Sequence, residues 1–383
     1  MINKKKTFIT ILISLLLIIP INMISCSGES WLDGFSYRKK ITITEVSGSN
    51  LINYHIPIKT YYGSGTDGAE TENSDIMIKI YLNSHAQIDF DDIRFTNSTG
   101  NSELDYWCQE YTSSTSAIFW VEFDLITASD DTDFYIYYGN STTSTTSNGV
   151  DTFPLFDDFD DSSISAVLWN TVGSPSETGT ILSLTDDDIV YSKTQYDFDY
   201  AFYSGSKMNE QDGVFIAVTE SGNGVTDTNY IHIGSSDITY PDDFDRLQIR
   251  ATEDGFFYTE QYKDWVDFRS NYLVYYIKQY DANGFTIAQA DNSYYWANDR
   301  IPNGDRELSF HVWDSSQESE LSVDWAFTRK CVEDEPTGSI NVEEIYDDDD
   351  DDGETRFLWY PIFFYVIGMI FMIAVGITLR GNR

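Results

Sequence analysis

Short runs of alternating apolar and polar residues recur from Tyr37 to about residue 330, and they constrain the fold more than any other feature. β-branched and aromatic side chains dominate these runs, so each predicts a strand with one buried face. No window between residues 30 and 345 carries the 3.6-residue apolar stripe of a long helix. The pattern therefore predicts an all-β protein. Representative runs are residues 40–44, 54–60, 76–82, 118–126 and 134–138.

A hydroxyl-rich stretch at residues 140–149 separates two series of predicted strands. Stretches of this composition are typical of loops and linkers. Many strands at regular spacing are typical of two-sheet sandwiches, so we predict two β-sandwich modules of jelly-roll type, at residues 31–150 and 151–337. An acidic segment at residues 338–356 follows, and repulsion between its carboxylates predicts an extended spacer.

Both ends of the sequence carry apolar segments that predict export and a membrane anchor. Residues 357–379 are uncharged and mostly apolar. As a helix they would be about 34 Å long, enough to cross a bilayer. The arginines that follow predict a cytoplasmic tail at residues 380–383 and an extracellular ectodomain on the cell membrane. Residues 1–27 are typical of a cleaved secretory signal; lipidation of Cys26 and an uncleaved signal anchor are the alternatives.

Acidic residues far outnumber basic ones, with 63 Asp and Glu against 23 Lys and Arg, a formal net charge of −40 at pH 7. A field of this sign repels phosphate groups, so nucleic acid is excluded as a partner. The membrane and a carbohydrate or an envelope protein are the predicted partners. Cys108 and Cys331 fall one in each predicted module, where they could form a disulfide; two buried thiols are the alternative.

Five short motifs occur in order through the first module, at residues 31–43, 91–95, 104–107, 119–121 and 136–140. They read WLDGFSYRKKITI, DDIRF, LDYW, FWV and IYYGN, and the series resembles the domain of unknown function 2341, a family of prokaryotic envelope proteins. No catalytic residues are established for that family, so the resemblance, which covers residues 31 to about 150, assigns none here.

The second module resembles a concanavalin-A-like (LamG-like) lectin or glucanase sandwich at its two ends. The similar segments are FPLFDDF at residues 153–159 with Trp169, and LSVDWAFTR at residues 321–329. This resemblance implies a lectin-type sandwich, a fold shared by binding modules and glycoside hydrolases, so the fold does not by itself assign an activity.

Catalysis by a glycoside hydrolase requires two carboxylates about 5–10 Å apart. The retaining enzymes of the concanavalin-like fold carry them on a Glu-x-Asp-x-(x)-Glu strand. Glu122 and Asp124 have the spacing of the first two acids without the third, and Asp197 and Asp199 have the spacing without a glutamate. The sequence therefore predicts that the chain is not an enzyme.

Aromatic residues at 294–296 predict a carbohydrate site, because aromatic rings stack on the apolar faces of sugars. Tyr294, Tyr295 and Trp296 stand with Asn298 in a turn-like stretch, and Trp265 marks a second, poorer candidate. The alternative is that both tryptophans fill the sandwich core.

The sequence also suggests a calcium site and two N-glycosylation sites. Asp157, Asp158 and Asp160 could ligate calcium, the one cofactor that the pattern suggests; solvated acidic turns are the alternative. Asn97 and Asn140 begin the sequons Asn-Ser-Thr, which predict N-glycosylation.

Taken together, these features predict a membrane-anchored cell-surface protein for recognition or adhesion, which binds a glycan or an envelope component without catalysis. Two alternatives stay open at this point. One is a structural, acidic envelope or coat protein with no dedicated ligand, and the other is an unusual glycoside hydrolase.

Overall fold

The computed structural model describes residues 30–346 except 73–74, 198, 209–213, 221–229, 238–244, 254–255, 265–270, 281–284, 291–293, 299–305 and 313–318. The described chain up to Glu344 belongs to one compact unit, built almost entirely of strands, so the all-β prediction is confirmed. The elements of the first half are β1 (Tyr37–Thr44), β2 (Leu51–Tyr61), β3 (Gly68–Glu72), β4 (Asp75–Tyr81), β5 (Arg94–Asn97), β6 (Tyr106–Thr112), β7 (Ser116–Ile126), β8 (Asp131–Tyr138) and the helical turn α1 (Gly149–Thr152).

The second half of the described chain consists of strands alone. They are β9 (Leu155–Asp157), β10 (Trp169–Val172), β11 (Ser176–Thr178), β12 (Ile181–Thr185), β13 (Ile189–Ser192), β14 (Tyr200–Met208), β15 (Val214–Glu220), β16 (Tyr230–Asp237), β17 (Asp245–Glu253), β18 (Phe256–Asp264), β19 (Leu273–Tyr280), β20 (Phe285–Ala290), β21 (Tyr294–Asn298), β22 (Arg306–Val312), β23 (Glu320–Lys330) and β24 (Thr337–Ile345).

The first module is a sandwich of a four-stranded sheet, β24-β1-β8-β5, and a five-stranded sheet, β3-β4-β2-β7-β6. Alternate residues of the strands point inward, so Ile41 and Ile136 from one sheet meet Ile58 and Phe119 from the other in a buried core. β2 and β4 pair in parallel, whereas β2 and β7 pair antiparallel along their whole length. The predicted sandwich at this end of the chain is therefore present.

The second module is a larger sandwich of a seven-stranded sheet, β10-β13-β22-β15-β16-β17-β18, and an eight-stranded sheet, β11-β12-β23-β14-β19-β20-β21 with β9 paired to β23. Its core joins Phe202, Ile277 and Val323 of the larger sheet to Ile216 and Phe310 of the smaller one. Burial of these side chains, at about 25 cal/mol per Å² of apolar surface, is the main stabilising contribution.

Strand β24 returns the chain to the first module after the second module is complete. It hydrogen-bonds beside β1 at the edge of the four-stranded sheet, and Ile340 packs on the first core. Tyr138 donates a hydrogen bond of 2.6 Å to Glu343, and Arg38 forms an ion pair of 2.6 Å with Glu344. The predicted spacer at residues 338–356 therefore begins as an ordered strand, because its first acids find partners on β1 and β8.

Aromatic side chains join the two modules where the five-stranded sheet meets the outer face of the eight-stranded sheet. The ring centroids of Trp107 and Trp325 are 5.6 Å apart, and those of Trp120 and Phe327 are 5.4 Å apart. Tyr203 stacks on Phe327 with centroids 4.7 Å apart. These rings are buried in one cluster, so the modules share a continuous apolar contact.

Four charged side chains are buried beside this aromatic contact, and we call them the interface cluster: Asp75, Lys278, Arg329 and Glu335. Asp75 accepts from Lys278 at 2.6 Å and from Arg329 at 2.8 Å. Glu335 accepts from Arg329 at 2.7 Å and from Lys278 at 3.2 Å. Burial alone would raise the pKa of Glu335, but Arg329 and then Lys278 outweigh it and lower that pKa to about 2. Two acids and two bases thus neutralise one another between the modules.

Within the described residues no helix is long and apolar enough to span a bilayer. The predicted signal at residues 1–27 and the predicted span at residues 357–379 lie outside the described residues. Both stay predictions.

Candidate functional site

A pocket of about 460 Å³ lies between β6 of the first module and the loop that follows β9 in the second. Its floor is aromatic, and its rim carries acids. Trp107 is 7% exposed, whereas Tyr111 at the mouth is 55% exposed. Hydroxyl and amide groups of Thr145, Ser147 and Asn148 also line it. The remaining aromatic lining residues are Phe90, Phe119 and Phe156, and the acids are Asp89, Asp91, Asp158 and Asp160.

The acids of the rim come from two turns with the same sequence, Asp-Phe-Asp-Asp, at residues 89–92 and 158–161. We call these the first turn and the second turn. The phenylalanine of each is buried and has a positive φ, 61° at Phe90 and 50° at Phe159. A left-handed residue reverses the chain, and each buried ring fixes the middle of its turn in a core. The aspartates that flank each buried ring therefore line the pocket.

Asp92 anchors the first turn. Its buried carboxylate accepts hydrogen bonds from the backbone N–H of Gln87 at 2.8 Å, of Gly139 at 2.7 Å and of Asn140 at 3.1 Å. Arg94 also donates to the carbonyl of Asp91 at 3.0 Å. These bonds hold the loop before β5, so the pocket wall is rigid at this side.

Asp157 anchors the second turn in the same manner. One of its carboxylate oxygens accepts from the indole N–H of Trp169 at 2.7 Å, and the other accepts from the backbone N–H of Phe159 at 2.9 Å. In the part of the chain that the structure describes, no three His, Cys, Asp or Glu side chains are placed to hold a metal ion. Asp157, Asp158 and Asp160 do not form such a group in the described structure, and calcium binding by them stays a prediction.

Electrostatics distinguish Asp158 within the pocket. Partial burial, and then the neighbouring carboxylate of Asp160, raise the pKa of Asp158 above its ordinary value. Burial raises the pKa of the Cys108 thiol to about 12, with Glu110 and Asp91 acting in the same direction. Cys108 is thus a thiol rather than a thiolate, and Asp158 is the pocket aspartate whose pKa is raised.

A second group of acids, which we call the strand carboxylates, lies on β7 and at the start of β6: Asp105, Glu122 and Asp124. The backbone N–H of Glu122 donates to the carbonyl of Asp105 at 2.9 Å, so these residues are opposite one another on neighbouring strands. Burial raises the pKa of Glu122 to about 7, and Asp105 and then Asp124 add to the shift. Glu122 and Asp124 lack a third acid on their own strand, and Asp105 of the neighbouring strand adds a third carboxyl group to theirs.

The aromatic residues predicted to bind sugar lie elsewhere. Tyr294, Tyr295, Trp296 and Asn298 belong to β21, an edge strand of the eight-stranded sheet, and not to a turn. Trp296 is in register with Ala288 of β20. Trp265 lies outside the described residues.

The other predicted positions are placed as follows. Cys108 and Cys331 are both free, Cys108 at the pocket and Cys331 in the interface between the modules, so the disulfide is not formed. The side chain of Asn97 accepts from the hydroxyl of Thr99 at 2.6 Å, and that of Asn140 accepts from Thr142 at 2.9 Å. Both sequons form local turns, and their glycosylation stays a prediction.

Comparison with known families finds one match. The family described as "Domain of unknown function (DUF2341)" matches residues 89–172, a range that contains both Asp-Phe-Asp-Asp turns. The match confirms the resemblance in part, since it begins and ends later than residues 31–150. No curated protein matches the sequence.

Several solved structures similar to this chain are named as enzymes of glycan chemistry. A β-1,3-1,4-glucanase (lichenase) from a mouse hindgut metagenome is 14% identical, with a TM-score of 0.36, and the match covers 46% of this chain and 99% of that one. The β-glucanase of Bacillus licheniformis is 12% identical, with a TM-score of 0.36 and coverage of 46% and 97%. Crh5 transglycosylase in complex with NAG is 13% identical, with a TM-score of 0.35 and coverage of 46% and 83%.

Two of the predictions are corrected by these comparisons. The chain was expected to be a recognition or adhesion protein, and it was expected not to be an enzyme. Both expectations are set aside, because the similar structures are named as glucanases and a transglycosylase, names that fit the alternative of an unusual glycoside hydrolase. At these identities and TM-scores the similar structures assign no activity to this chain. The sandwich of concanavalin or glucanase type is supported at that coarser level, without the narrower LamG assignment.

Proposed function

We propose that this protein acts on glycans as a glycoside hydrolase whose site is the pocket between the two modules. The observation that carries the proposal is the pair of Asp-Phe-Asp-Asp turns, which place carboxylates from both modules around one aromatic floor. A pocket of about 460 Å³ falls in the range of small-molecule sites. Aromatic rings bind the apolar faces of sugars, and carboxylates supply the acid and base that hydrolysis needs.

In the proposed mechanism Asp158 is the acid. The pKa of its carboxyl group is raised by partial burial and by Asp160, and its proton passes to the glycosidic oxygen as the bond to the anomeric carbon breaks. A carboxylate of the first turn, Asp89 or Asp91, completes the reaction. It either attacks the anomeric carbon, forming an ester that water then hydrolyses with Asp158 as the base, or it takes a proton from a water that attacks directly.

The direct test is the release of reducing ends from soluble polysaccharides by the full-length protein. Asp158→Asn keeps the shape of the side chain and removes the proton donor, so we expect the rate to fall by at least about 100-fold. The matched control is Asp187→Asn, which removes one exposed acid from the turn between β12 and β13, outside the pocket.

The assay also separates the pocket from the strand carboxylates. If Glu122→Gln abolished turnover while Asp158→Asn did not, the activity would belong to β7 and the pocket assignment would be wrong. If neither the protein nor its variants released reducing ends from any polysaccharide, the glycoside hydrolase proposal would fail. Thermal unfolding at an unchanged midpoint shows that each variant is folded.

The proposal includes an extracellular site of action. The signal predicted at residues 1–27 and the span predicted at residues 357–379 would place the pocket outside the cell, where polysaccharides occur. Accessibility of the ectodomain to protease on intact cells is the measurement that tests this location.

A further inference from the structure

We propose that the pocket selects sugars that carry a positively charged amine, so that its substrate is a polymer of amino sugars with free amino groups. This inference rests on the proposed function and adds the chemical class of the substrate. Among the described residues that line the pocket, four are aspartates and none is Lys, Arg or His.

The arrangement of the acids matches a cation that is held within a larger, mostly neutral ligand. Two of the aspartates come from the first turn and two from the second, so they approach the pocket from both modules. An ammonium group donates up to three hydrogen bonds and accepts none, and a carboxylate only accepts, which makes each rim acid a suitable partner. A uronic acid or a sulfated sugar would instead be repelled by the charged carboxylates of the rim.

Aromatic rings strengthen the case for a cation. Tyr111 stands exposed at the mouth, and Trp107 forms part of the floor. The faces of such rings attract ammonium groups and also stack on the C–H faces of a pyranose. One pocket therefore offers a partner for each part of an amino sugar: rings for the apolar face and carboxylates for the amine.

Acetylation of the amine removes the positive charge, and with it the contacts to the carboxylates, without changing the sugar ring. An N-acetyl group is neutral, so a pocket selective for the ammonium should distinguish a free amino sugar from its acetylated form. A charged hydrogen bond contributes about 1.5–3 kcal/mol, which corresponds to a preference of at least about tenfold. A neutral glucan lacks the charge altogether and should bind like the acetylated form.

The experiment measures binding of four oligosaccharides of equal length to the full-length protein by calorimetry. They are a glucosamine oligomer, its N-acetylated counterpart, a neutral β-glucan oligomer and an oligogalacturonate. We expect the glucosamine oligomer to bind at least about tenfold more tightly than the acetylated one, with the preference reduced at about 1 M salt. The oligogalacturonate should not bind.

Variants separate the pocket from the overall charge of −40, which attracts any cation. Asp91→Asn and Asp160→Asn should each reduce the preference for glucosamine, one from each turn, whereas Asp187→Asn should leave it unchanged. If all three variants reduced it equally, the preference would be a property of the whole surface and the inference would be overturned.

The outcomes for the two proposals differ. Equal binding of the amino, acetylated and neutral oligomers would overturn the selectivity and leave the glycoside hydrolase proposal standing. Failure to bind any of the four would overturn the selectivity, and the release of reducing ends would then decide the glycoside hydrolase proposal by itself. A glucosamine preference that is lost in the Asp91 and Asp160 variants would support the pocket and its selectivity together.

Discussion

The interface cluster and the pocket hold their acids in opposite ways. Between the modules Asp75 and Glu335 each contact both Lys278 and Arg329, and the charges cancel. Around the pocket the described lining contains four aspartates and no base. A neutralised set of buried charges fixes structure, whereas acids without a neighbouring cation remain available for a ligand or for proton transfer. The fold thus separates charges that hold the modules together from charges that can react.

The largest effect is expected from breaking the interface cluster. Arg329→Met would leave Asp75 and Glu335 to share Lys278 in a site largely buried from solvent, at a cost of about 3–5 kcal/mol of unfolding free energy. Chemical denaturation followed by tryptophan fluorescence measures the loss, and Trp107, Trp120 and Trp325 report directly on the interface. A loss below about 1 kcal/mol would show that the cluster is solvated and that the contrast with the pocket does not hold.

A smaller and pH-dependent effect is expected at Glu122. The folded state raises the pKa of this carboxyl from 4.5 to about 7. The stability that it contributes is therefore complete below about pH 4.5 and is lost as the pH rises through about 7. Glutamine cannot ionise, so Glu122→Gln removes this loss and should stabilise the protein by about 1–2 kcal/mol more at pH 8 than at pH 4. This figure is smaller than the full pKa shift would give, because Glu122 is partly exposed and solvent screens its charge.

Urea unfolding of the wild type and of Glu122→Gln at the two pH values measures this difference. Glu110→Gln, on the adjacent strand β6, is a useful comparison, because burial and Glu72 also raise the pKa of that carboxyl. If Glu122→Gln changed the unfolding free energy equally at pH 8 and at pH 4, the folded state would not raise the pKa of Glu122.

The smallest effect is expected from an ion pair on the surface. Lys40 and Asp133 are 2.9 Å apart, with side chains 25% and 35% exposed. Lys40→Met should change the unfolding free energy by less than about 1 kcal/mol, and the change should shrink as salt increases. A loss as large as that of Arg329→Met would mean that burial does not set the energetic difference between the two kinds of pair.

Much of the fold could be predicted from the sequence because its signals are local. The alternation at residues 40–44 and 118–126 predicts strands, and the structure places them in β1 and β7. Other features depend on contacts between distant residues. Asp105 completes the strand carboxylates only because β6 pairs with β7, and Glu343 finds its partners Tyr138, Asn83 and His85 far away in the sequence. No local pattern contains that information.

The pocket shows the same limit. Its two Asp-Phe-Asp-Asp turns are visible as a repeated tetrapeptide, and the acids of the second turn were singled out as calcium ligands. Nothing in the local sequence indicates that the two turns meet, or that Asp157 accepts a hydrogen bond from Trp169. The aromatic stretch at residues 294–298 illustrates the converse, because three adjacent rings suggested an exposed turn where the structure has the edge strand β21.

The pairing of β24 with β1 has a mechanical consequence. These strands are the first and the last of the described chain, and they lie side by side in one sheet, joined also by the ion pair of Arg38 and Glu344. Tension applied between the two ends would pass directly from β1 to β24 and would bypass the second module. The hydrogen bonds between β1 and β24 would have to break before the second module, which forms half of the pocket, experienced any load.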